Sequence, residues 1–283
     1  MTDAKPLPGL TERFAEIKGC RMRYLVGGRS TGGRGPLILV HGLGGGAANW
    51  VELAPLLARR HRLLVPELPG HGGSSPLPAV PNLNVYADRI GLLAEREGLT
   101  PAAVVGHSLG GVVALRLALR RPAAVNAVVL AGSAGISSRA ARARFVLEIM
   151  GIVRPARRLS RFRSQFATHP RLRVLPLGHW LTSDPEALSP RAVEGFLGPP
   201  ALHTDTVSAA RALFADDPWD DLAHVGSPCL VLWGARDHQL PVSDAFDFAR
   251  GLAAPLRLIS DCGHLLIGER PEACADAIEQ FVS

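Results

Sequence analysis

Lysine is nearly missing from this chain. Of 31 basic side chains only Lys5 and Lys18 are lysines, and the rest are arginines. With abundant Ala, Gly and Pro, that usage fits a GC-rich coding sequence. Cysteine is also scarce: Cys20, Cys229, Cys262 and Cys274 have neither paired nor metal-ligand spacing. They read as reduced thiols of a cytoplasmic protein. No apolar run approaches the ~20 residues that a membrane-spanning helix needs. The opening MTDAKPLPGLTERFAEIKG carries no apolar h-region, so no secretory signal is expected. Gly44-Gly45-Gly46 is not followed by Lys-Ser/Thr, which excludes a P-loop.

Acidic residues are missing from one stretch in particular. Between Arg139 and Arg173 there are ten arginines and one acid, Glu148, although the chain as a whole is only +6. Interleaved aromatics and nucleic-acid modules are not evident there, so nucleic acid is not an expected partner. A solvated face is the plain reading of the stretch. Contact with anionic lipid or coenzyme A is the sharper one.

What the chain does contain is a rhythm. Its 283 residues, 47% apolar and 20% charged, suit one large globular α/β domain. Strand-length apolar runs alternate with helix-length stretches, which predicts a mostly parallel sheet with helices on both faces. PLILVH (36–41), HRLLVPEL (61–68), AAVVGH (102–107), VNAVVLAG (125–132), PCLVLWG (228–234) and APLRLIS (254–260) read as strands. AANWVELAPLLARR (47–60), VYADRIGLLAEREG (85–98), GGVVALRLALRR (110–121) and PEACADAIEQFV (271–282) read as helices. Residues 14–28 alternate as an antiparallel hairpin would. Between about Ala134 and Val225 the strand rhythm stops, and helical patterns such as LEIMGIV, RRLSRFRSQFA and TVSAARALFA replace it. The expected division is a core of 1–133 and 226–283 with a helical insertion at 134–225.

VVGHSLGG (104–111) sets a serine between glycines where a strand gives way to a helix. Gly106-His107-Ser108-Leu109-Gly110 fits G-x-S-x-G, the pattern of a nucleophile exposed on a sharp strand-to-helix turn. A serine hydroxyl needs a base, and the base needs an orienting acid. The order expected on this kind of sheet is Ser, acid, His. VLWGARDHQLP offers Asp237 just past one strand, and LISDCGHLLIGERPE offers His264 just past another. Asp261 is a rival acid, expected instead to brace its own loop; the LAGSAGIS segment has no carboxylate. For the oxyanion, the candidate amides are Leu109, at a helix start, and Leu43, in the glycine loop HGLGGG (41–46). His41, His71 and His107 suit packing or hydrogen-bonding roles, and His179 and Trp180 are candidate pocket residues in the insertion.

Together HGLGGG, PELPGHGGS, VVGHSLGG, VLWGARDHQLP and DCGHLLIGERPE resemble the α/β-hydrolase superfamily, in particular its capped esterase, haloperoxidase-like and iminopeptidase-like members. The resemblance runs from about residue 12 to 282, apart from the insertion. It implies an eight-stranded sheet with a helical lid, and no metal or organic cofactor. It implies Ser108 as nucleophile, His264 as base, Asp237 as acid, and Leu43 and Leu109 as oxyanion donors. Glu67 departs from the aspartate usual in that early loop, a change expected to matter little. A small carboxylic ester is the expected substrate. Carbon–carbon cleavage of a diketone, acyl transfer, and a ligand-binding receptor that keeps the triad are the alternatives.

Overall fold

The computed structural model describes residues 7–77, 82–137 and 158–283. Its centre is an eight-stranded sheet in the order β1-β2-β4-β3-β5-β6-β7-β8. The strands are β1 (Leu10–Ile17), β2 (Cys20–Gly28), β3 (Leu37–Val40), β4 (Arg62–Pro66), β5 (Ala102–His107), β6 (Val125–Ala131), β7 (Cys229–Gly234) and β8 (Leu256–Ile259). β2 pairs antiparallel with both β1 and β4, and the remaining neighbours are parallel. Parallel strands covered on both faces must be apolar on both. Leu37 and Leu39 of β3 accordingly pack into one core with Trp50, Leu53 and Ile278, while Ile38 and Val40 pack into the other with Ile90 and Val113.

The helices of the described residues are α1 (Leu53–Leu57), α2 (Leu83–Arg96), α3 (Leu109–Arg120), α4 (Arg163–Thr168), α5 (Val174–Leu181), α6 (Pro190–Leu197), α7 (Thr206–Ala215), α8 (Val242–Gly251), α9 (Leu266–Glu269) and α10 (Pro271–Phe281). The stretch expected as one helix over 47–60 divides into a 3-10 turn, Ala47–Trp50, and the short α1. Pro55 explains the break, since it lacks an N–H and fits only in the first turn of a helix. β8 is a sheet edge rather than a buried strand, with Leu258 41% exposed.

Between β6 and β7 the described residues form helices and turns only. α4 and α6 pack on each other through Phe166, Ala167, Ala192 and Val193, and Leu265 joins this small core from the loop after β8. The LEIMGIV stretch lies outside the described residues. No helix of the described residues is long and apolar enough to cross a membrane.

Candidate active site

β5 ends at His107, and α3 begins at Leu109. Ser108 takes the whole turn between them, with φ 54° and ψ −120°. For a residue with a side chain this is a strained conformation, on the order of 1–3 kcal/mol. The glycines around it are required by contact. A Cβ on Gly106 would lie 2.2 Å from the Gly110 carbonyl oxygen, and one on Gly110 would lie 2.1 Å from that of Val40. Ser108 is half-buried while its neighbours His107 and Leu109 are buried.

Asp237 and His264 come from different loops, after β7 and β8, and meet. His264 Nδ1 donates to Asp237 Oδ2 at 2.8 Å. The other carboxylate oxygen accepts the amides of Gln239 (2.9 Å) and Leu240 (2.8 Å). Both side chains are buried. A carboxylate only accepts, so Nδ1 carries a proton and the ring's Nε2 edge is turned away from Asp237. The imidazole lies beside Gly132, next to Ala131, whose carbonyl accepts the Ser108 amide at 3.2 Å. Its ring centroid is 5.0 Å from that of His107.

Asp261 does not brace its loop as expected. It is 61% exposed and pairs on the surface with Arg236, which is equally exposed. The bracing falls to Glu269, whose carboxylate accepts the amides of Gly263 and Ser183 and the Ser183 hydroxyl. Two further contacts hold the histidine's backbone. His107 Nε2 donates to the His264 carbonyl at 2.9 Å, and the Leu181 carbonyl accepts the His264 amide at 2.8 Å. Burial pushes the His107 imidazole down to about 3, so the ring stays neutral.

Leu43 directly follows Gly42, and Leu109 directly follows the serine turn. Gly42 sits against it: a Cβ there would be 2.9 Å from Ser108 Cβ. Among the described residues neither the Leu43 nor the Leu109 amide has a protein acceptor. Such donors suit an anion that arrives during reaction. The glycine loop that carries Leu43 is tied to residues 70–73 by two side chains. Glu67 accepts the amides of Ala47 (3.2 Å) and Gly73 (2.6 Å), and Arg23 Nη1 donates to it at 2.7 Å. His203 Nε2 donates to the Gly44 carbonyl at 2.7 Å, and its Nδ1 accepts the Gly72 amide at 2.9 Å. His41 is neutral as well. It accepts the Leu68 amide and donates to the Gly42 carbonyl, and burial pushes it down to about 3. Glu67 therefore has a larger part than its place in a structural loop suggested.

Trp180 stands on α5, 49% exposed, with its indole against Gly178, where the helix breaks at φ 53°. The four cysteines are buried free thiols, each pushed up by that burial, which keeps them protonated and poorly nucleophilic.

The model of the alpha/beta hydrolase family matches residues 37–277. The chain belongs to that family. Among similar proteins of this hydrolase is a pimeloyl-[acyl-carrier protein] methyl ester esterase of Aromatoleum aromaticum, 32% identical over 88% of this chain and 98% of the esterase. A 2-hydroxy-6-oxo-6-(2'-aminophenyl)hexa-2,4-dienoic acid hydrolase of Metapseudomonas resinovorans is 27% identical, over 96% and 91% of the two chains. The dihydrolipoyllysine-residue acetyltransferase component of the acetoin cleaving system of Cupriavidus necator is 29% identical over 89% of this chain. The hydrolase spans only 64% of that component's length. Among solved structures, a putative lipase from Acinetobacter baumannii AYE superposes with a TM-score of 0.75 at 21% identity, covering 97% of this chain and 91% of the lipase. That likeness is one of fold.

Proposed function

We propose that this α/β hydrolase cleaves a carboxylic ester through an acyl-enzyme on Ser108. The observation that carries the reading is the buried Asp237–His264 pair, whose imidazole lies at Gly132, together with a strained, half-buried Ser108 whose amide bonds to the adjoining Ala131. His264 Nε2 takes the hydroxyl proton as Ser108 Oγ attacks the ester carbonyl. Asp237 holds the tautomer and stabilises the imidazolium that forms. The Leu43 and Leu109 amides receive the tetrahedral oxyanion, each contributing about 3 kcal/mol to lowering the barrier. His264 then gives its proton to the departing alkoxide. Water enters, His264 takes its proton, and the acyl-enzyme is hydrolysed. The helices between β6 and β7 act as the lid of this site.

Support for an ester comes from the methyl ester esterase, which aligns over nearly its whole length with the highest identity of the three relatives described. Support for a second reading, carbon–carbon hydrolysis, comes from the dienoic acid hydrolase. Its named substrate is an oxo acid with no ester to cleave, so the attacked carbonyl is a ketone. A panel of p-nitrophenyl esters of graded chain length, run beside 1,3- and 1,5-diketones with Ser108→Ala as blank, separates the readings. Steady release of p-nitrophenol supports the esterase. Turnover of a diketone with esters left intact supports the second reading, and a single binding event without turnover of either overturns both.

A further inference from the structure

We infer that the outer surface formed by α4, α5 and the turn between them docks on a membrane bearing anionic lipid. Five large apolar side chains of residues 162–180 face solvent: Leu175 is 75% exposed, Trp180 49%, Leu172 42%, Phe162 40% and Val174 37%. Monomeric soluble surfaces scatter such side chains singly, and a contiguous group marks an interaction site. Here they fall within one short run, and the three strongest lie between residues 172 and 180. The same elements do have an inner face, where Phe166, Ala167 and Leu177 are buried. The outward set is therefore a surplus over what the fold needs.

Charge decides among possible occupants. From residue 149 to 183 the sequence holds no Asp or Glu. Arg158, Arg161 and Arg171 are exposed within this run, and the Arg161 guanidinium lies 4.6 Å over the Phe162 ring. One arginine of the stretch is not part of this face. Arg173 is buried, and its guanidinium donates to the carbonyls of Phe166, Ala167, Glu186 and Leu188. The plain solvated-face reading thus fails at Arg173, which builds the scaffold under the patch. What remains is a group of exposed apolar side chains that includes an indole, with exposed Arg158, Arg161 and Arg171 in the same run; the nearest acids in sequence, Asp184 and Glu186, lie beyond its end. Those are the features of an element that settles into the headgroup region of an anionic bilayer. A neutral apolar partner would leave the arginines without counter-charge, and an acidic protein would leave Leu175 exposed.

The position of the patch gives the contact a use. α5 ends at Leu181, whose carbonyl accepts the amides of His264 and Leu265. The surface is thus one helical turn from the backbone of His264. Docking there sets the candidate site against the lipid, so that a sparingly soluble ester can pass from the bilayer without crossing water. The docking itself does not depend on which bond the site cleaves.

The test uses the full chain and two kinds of vesicle, phosphatidylcholine alone and phosphatidylcholine mixed with phosphatidylglycerol. The protein is expected to sediment with the mixed vesicles at low salt and to be released at high salt. Leu175→Glu, and Arg161→Glu together with Arg171→Glu, should each weaken this binding about tenfold or more, since a charge is disfavoured at the apolar face and each arginine is worth about a factor of five near an anionic surface. Hydrolysis of a short soluble ester by those variants should be unchanged, which shows that they fold. Quenching of tryptophan emission by brominated lipid should disappear in Trp180→Phe. Absence of binding to the mixed vesicles overturns the inference, as does binding that the substitutions leave intact. A wild-type dimer in sedimentation that Leu175→Glu converts to monomer, without vesicle binding, overturns it in favour of an interface between copies.

Discussion

The Nε2 of His203 donates to the carbonyl of Gly44 at 2.7 Å. One imidazole therefore joins the helical segment between β6 and β7 to the glycine loop that presents the Leu43 amide. Its other nitrogen accepts the Gly72 amide, so both loops meet on a single neutral ring. A proton on Nδ1 would place two N–H groups face to face and release Gly72.

His203→Ala should lower kcat by about tenfold and leave KM nearly unchanged. The Leu43 amide would then be held less firmly at the oxyanion, and losing a donor outright costs about 10²–10³. His203→Gln should recover part of the loss through its amide N–H to Gly44. Steady-state kinetics on a p-nitrophenyl ester checks this, and an unchanged kcat in His203→Ala would show that the tie is structural only.

Acid should destabilise the fold. Burial lowers His41 and His107 from 6.5 to about 3, and lowers His71 well below its ordinary value. All three are neutral in the folded protein but take up protons on unfolding once the pH drops below 6.5. Their stabilisation is therefore complete above pH 6.5 and lost as the pH falls toward 3. His41 and His107 each contribute about 1.4 kcal/mol of lost stability by pH 5.5, so the two together remove about 3 kcal/mol, and His71 acts in the same direction. Urea unfolding at pH 7.5 and 5.5 measures the difference, and equal midpoints at the two pH values would contradict these assignments.

Glu67→Gln should cost about 3 kcal/mol in stability. It leaves Arg23, which is 8% exposed, with the half-exposed Glu12 as its remaining carboxylate among the described residues. The same change loosens the Ala47 amide at the end of the glycine loop, so kcat should fall together with the melting temperature. Differential scanning calorimetry and kinetics on one preparation show whether the two effects travel together.

Most of the sheet was legible because buried parallel strands are nearly continuous apolar runs, and this chain breaks them with Gly and Pro. The placement of Ser108, Asp237 and His264 past the ends of β5, β7 and β8 was legible because each follows an apolar run of strand length. The contacts that hold them were not. His107 Nε2 reaches the His264 carbonyl, and Glu269 reaches the Gly263 and Ser183 amides, only because three remote loops converge. Backbone acceptors carry no sequence signature. Asp261 misled for a related reason: nearness in sequence to His264 suggested a local brace, while its φ of 49° turns it outward to Arg236. Glu67 was visible as a departure, though the three groups converging on it were not.

The two aspartates near His264 make opposite predictions. Asp237→Asn should lower kcat by about 10³–10⁴ with a small change in melting temperature, because the amide imposes the wrong tautomer on the imidazole. Asp261→Asn should leave activity intact and shift stability by no more than about 0.5 kcal/mol, the scale of an exposed ion pair. The reverse pattern would move the acid's role to the surface loop, against the 2.8 Å contact of Asp237 with His264.

The most direct measurement is covalent labelling with a fluorophosphonate probe, followed by intact mass and peptide mapping. The wild-type protein should take up one equivalent, located on Ser108 and lost on prior heat unfolding. Ser108→Ala should take up none while keeping the wild-type circular dichroism. Full labelling of Ser108→Ala, or a label mapped to any other residue, would contradict the assignment of Ser108 as the nucleophile.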